Sequence, residues 1–62
     1  MPDKLNALLE RLKAHQRTLI LAMAEHDRLP AGSAIRGVAE LENVIAAVEA
    51  VAAEQADRAR RL

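Results

Sequence analysis

Apolar residues recur at three- and four-residue spacing from Leu5 through Leu8, Leu12 and Leu19 to Leu29, and again from Ala34 through Val38, Leu41, Ile45, Val48 and Ala52 to Leu62. That period is the signature of one face of an α-helix. Between the two runs stands Pro30-Ala31-Gly32-Ser33, which disfavours helix at Leu29 and loosens the backbone just after it. The pattern predicts an all-α fold: one antiparallel helical-hairpin domain over 1–62, with helix 1 over about 3–28, a loop at 29–33 and helix 2 over about 34–61. Asp3 and Ser33 are suited to cap the two helix starts. At ~1.5 Å per residue both helices come to about 40 Å, so their lengths are expected to match.

A hairpin of 62 residues lies near the lower limit at which a chain buries enough surface to fold alone. With no cysteine, disulfides and thiolate metal sites are excluded, which leaves association as the stabilising device. Leu5, Leu8, Leu9, Leu12, Leu19, Ile20 and Met23 form a stripe on helix 1 broader than a two-stranded seam requires. Such width suits a four-helix bundle, in which each helix touches two neighbours. Helix 2 contributes Val38, Leu41, Val44, Ile45, Val48 and Val51 as its core stripe, with Ala39, Ala46, Ala50 and Ala53 as a shallower face. The expected dimer interface and core is therefore Leu5, Leu9, Leu12, Gln16, Leu19, Met23, Val38, Leu41, Ile45 and Val48.

Composition excludes several classes of function. Nine basic and nine acidic residues cancel, so no global field draws the chain to nucleic acid or to an anionic membrane. The absence of Phe, Trp and Tyr removes the stacking platforms that single-stranded nucleic-acid binders use. The longest apolar run, Leu19 to Ala24, is far too short to span a bilayer, and Met1-Pro2-Asp3-Lys4 leads straight into a charged amphipathic segment. These features point to a soluble, cytoplasmic protein without a membrane partner.

Residues able to do chemistry do not converge. Glu25, His26 and Asp27 are consecutive, and a helix splays neighbours by 100° each, which prevents a convergent acid-base set. Ser33 reads as a cap rather than a nucleophile, and no phosphate loop or metal-ligand spacing is present. No catalytic, cofactor or metal residue is expected, so the chain reads as no enzyme. His15 and His26 fall on one side of helix 1 but about 16 Å apart, too far to share a metal ion; they are read as bordering the core. Gln16 lies within the apolar stripe, where its amide must either meet a partner, including its own copy across a dimer axis, or bend to the edge. Gly37 is expected on the inner side of helix 2, packed closely against the end of helix 1. Arg58, Arg60 and Arg61 complement the helix dipole at the end of helix 2, with Asp3 and Glu10 as screening partners.

Lys13 and Arg17, spaced by four with Arg28 at a similar azimuth, form a basic patch on the outer side of helix 1, and Leu21 faces outward beside Arg17 and Arg28. Lys13, Arg17, Leu21 and Arg28 are thus the candidate face for RNA or another partner. A hairpin of about sixty residues expected to dimerise resembles in architecture the Rop-like hairpins that bind structured RNA. No shared motif carries that family's contact residues onto this chain. The sequence reading is a small non-enzymatic interaction or regulatory module acting as a homodimer. Its alternatives are a Rop-like RNA binder and an obligate subunit of a larger protein complex.

Overall fold

The computed structural model describes residues 3–61 as an all-α hairpin of two helices in contact, α1 (Lys4–Ala24) and α2 (Gly32–Arg60). Met1, Pro2 and Leu62, the last position of the second apolar run, lie outside the described residues. α1 begins as its sequence predicts. Asp3 is extended, and its Oδ1 accepts from the Asn6 backbone N–H at 2.7 Å. Its Oδ2 accepts from Asn6 Nδ2 at 3.3 Å, so one carboxylate covers an orphan amide at the positive end of the helix.

The other helix boundaries differ from expectation. α1 stops at Ala24 rather than near Arg28. Its last turn tightens, with the Glu25 and His26 amides donating to the Ala22 and Met23 carbonyls, each at 3.2 Å. Three causes act together: His26 and Asp27 are weak helix formers, the Asp27 carboxylate opposes the negative end of the dipole, and Pro30 supplies no amide to extend the ladder. α2 starts at Gly32, so Ser33 sits inside the first turn and does not cap it. The Ala31 carbonyl instead receives the Ala34 and Ile35 amides at 3.0 and 3.1 Å. Ala31 is extended at φ −60° and ψ 151°, which places the helix start directly after Pro30.

The helices are consequently unequal, 21 residues against 29, or about 31 Å against 43 Å at 1.5 Å per residue. The connection 25–31 spans the difference at one end, and α2 runs past the start of α1 at the other. The arginines there do not reach Asp3 or Glu10. Arg60 and Arg61 pair with Asp57 of their own helix at 3.5 and 3.1 Å, because residues three and four apart on a helix are neighbours.

Within this single hairpin the core is thin. Ile45 alone is buried among the described residues, at 4% exposure. Leu5, Leu8, Leu9, Leu12, Leu19, Met23, Val38, Leu41, Val48 and Ala52 surround the seam half-buried. Val44 and Val51, counted in the core stripe from spacing, are 47% and 42% exposed, and Ile20 of the α1 stripe is exposed too. The physical reason is that α2 meets one helix only, so a stripe wide enough for two neighbours keeps its flank in water.

Ile45→Ala removes the one buried side chain and should cost about 2 to 5 kcal/mol, as for other large-to-small core changes. Chemical denaturation followed by circular dichroism checks this. A loss of a few tenths of a kcal/mol means that the seam does not hold the helices together.

Candidate interaction surface

The two long edges of the hairpin, where the flanks of α1 and α2 meet, are chemically unlike. One edge is bridged by polar side chains. Gln16 Nε2 donates to Glu42 Oε1 at 2.7 Å, and Lys13 Nζ pairs with Glu49 Oε2 at 3.5 Å. Glu42 and Glu49 are seven apart and so lie on one side of α2, while Gln16 and Lys13 reach them from α1. These bridges also define the antiparallel register. Gln16 therefore takes the edge position, with its amide satisfied by a carboxylate of its own chain. Lys13 thus stands at the bridged edge, paired with Glu49, with Arg17 one turn further along the same helix.

The other edge carries no such bridge and is open. At its loop end is a cleft of about 610 Å³ bounded by the end of α1, the connection and the start of α2, with Leu19, Ala22, Met23, Leu29, Ala34 and Gly37 in its wall. Farther along, a second hollow of about 340 Å³ lies between Leu5 of α1 and Val44, Ala47, Val48 and Val51 of α2. Gly37, Val44 and Val51 are spaced by seven, so one row along α2 joins the two hollows.

Gly37 does not pack closely against helix 1 as expected. A Cβ built at Gly37 meets nothing within 4 Å. A glycine inside a helix costs about 1 kcal/mol relative to alanine, and no contact in the hairpin offsets that cost.

Of the remaining candidate residues, Arg17 and Leu21 follow Lys13 at four-residue spacing along α1, and Arg28 stands apart from them. Leu21 points away from the seam at 60% exposure, and Arg17 and Arg28 are exposed. Arg28 lies in the connection, beyond the end of α1, and borders the 610 Å³ cleft. His15 and His26 are exposed. His26 also falls beyond α1, where it borders that cleft and a smaller hollow with Leu21, Ala22 and Glu25. Among the described residues, no three His, Cys, Asp or Glu side chains come together as a metal site, and no helix is long and apolar enough to cross a membrane.

Sequence reasoning missed the division between the edges. Its signal is the pair of rows spaced by seven on α2, Gly37-Val44-Val51 on one flank and Glu42-Glu49 on the other. Comparison of the chain with family models, with curated proteins and with solved structures found no match.

Lys13 and Glu49 are each about half exposed, so solvent screens their attraction and their coupling should be no more than about 1 kcal/mol. A double-mutant cycle of Lys13→Ala and Glu49→Ala measures it. The coupling should shrink further at high salt, and a coupling of several kcal/mol indicates a desolvated pair instead.

Proposed function

We propose that the chain is a small non-enzymatic interaction or regulatory module that acts as a homodimer, two hairpins closing into a four-helix bundle. The observation that carries this reading is surface. The hairpin exposes 5280 Å², whereas a compact protein of its 6.8 kDa exposes about 4,000 Å². The excess, on the order of 1,300 Å², exceeds the ~800 Å² per partner of a standard stable interface. Its radius of gyration tells the same story, 15.1 Å against about 11 Å for a compact chain of this length.

The RNA-binding alternative rests on the pairing of Lys13 with Arg17. Lys13 is engaged by Glu49, which lowers the local positive charge on which phosphate binding depends. The obligate-subunit alternative draws on the same apolar edge as the homodimer does and differs from it in how the isolated chain behaves.

A thermal melt across a range of micromolar concentrations tests the reading. Mass action stabilises a dimer as concentration rises, so the midpoint should climb while the transition stays cooperative. A cooperative midpoint independent of concentration, from a species of monomer mass, contradicts the proposal. A chain that shows little helix at any concentration points to a different, larger partner.

A further inference from the structure

From the taper of the open edge, we infer that two copies stack along it with their loop ends at opposite ends of the dimer. This rests on the homodimer proposed above and adds which face is used and in which orientation. The face consists of two rows of residues spaced by seven, Leu8-His15-Ala22 on α1 and Gly37-Val44-Val51 on α2. The register set by the Gln16–Glu42 and Lys13–Glu49 bridges puts Ala22 level with Gly37, His15 with Val44 and Leu8 with Val51. The face is therefore deep at the loop end, where Ala22 and Gly37 border the 610 Å³ cleft, and shallower at the open end, where Leu8 and Val51 are larger and Val51 borders the 340 Å³ hollow.

Such a taper complements itself in one orientation. With a two-fold axis running across the hairpin, α1 lies on the partner's α1 and α2 on the partner's α2, both antiparallel. The bulky Leu8 and Val51 end of each copy then enters the partner's Ala22 and Gly37 hollow. His15 and Val44, at the middle of the rows, come close to their own copies near the axis. With the axis along the hairpin instead, bulk meets bulk at one end and hollow meets hollow at the other, leaving voids that close packing disfavours. The same arrangement accounts for Gly37. Its missing side chain leaves space that nothing in its own chain occupies, and a partner's valine fills it.

The chain has no cysteine, so single introduced thiols report contacts between copies without background. Val44→Cys should cross-link to itself through a short thiol-reactive linker, while Glu49→Cys on the bridged edge should not. A mixture of Leu8→Cys and Ala22→Cys chains should give the mixed product in excess of either self-linked product. Gly37→Leu should keep its helix content but weaken self-association about tenfold or more, because the added side chain occupies the partner's seat. A wild-type chain that sediments as a monomer at high micromolar concentration overturns the homodimer and this inference together. A wild-type dimer in which Glu49→Cys links and Val44→Cys does not overturns the face alone. Self-linked Leu8→Cys and Ala22→Cys products without the mixed one overturn the orientation.

Discussion

A layer of two helices has no interior. Each helix of this hairpin can cover one side of the other, but a stripe wide enough for two neighbours must leave part of itself in water. Ile45 is buried because it faces the centre of α1; every other large apolar side chain near the seam is shared between contact and solvent. The rest of the structure depends on this constraint. It explains the elongated shape, 52 Å in its longest extent and 12 Å in its shortest.

The two edges answer that constraint differently. On one, Gln16, Lys13, Glu42 and Glu49 link the helices by a hydrogen bond and an ion pair, exposed interactions that contribute more to register than to stability. On the other, no polar bridge forms, and two hollows stay open, lined mostly by aliphatic side chains with His26 and Arg28 at the rim of one and Asn43 at the other. Polar bridges on one side favour solvent there, and apolar hollows on the other favour a second layer. The proposed bundle uses this difference: the hairpin's own seam forms the first half of the core and the open edge the second.

Much of the fold was legible in the sequence because period and punctuation act locally. The three-four spacing specifies helices, Asp3 caps the first, and Pro30 with Gly32 separates them. Helix ends were less legible. α1 yields at Ala24 because several weak preferences in Glu25 to Pro30 add up, and Ser33 loses the capping position to Ala31 because the chain leaves Pro30 already extended. The edges were the least legible. Val44 and Val51 belong to the same apolar stripe as Val38 and Ile45, and only the position of α1 shows which set the hairpin covers. Lys13 shows the same limit: its azimuth lies between the outer face and the seam, and Glu49 draws its ammonium to the bridged edge. No local pattern records that pairing.

Small-angle X-ray scattering tests most directly whether one hairpin is half of a structure. The proposed homodimer gives a particle of twice the 6.8 kDa chain mass whose longest dimension stays near the 52 Å of one hairpin, since the copies lie side by side. A particle of single-chain mass with the 15.1 Å radius of gyration of the lone hairpin contradicts it.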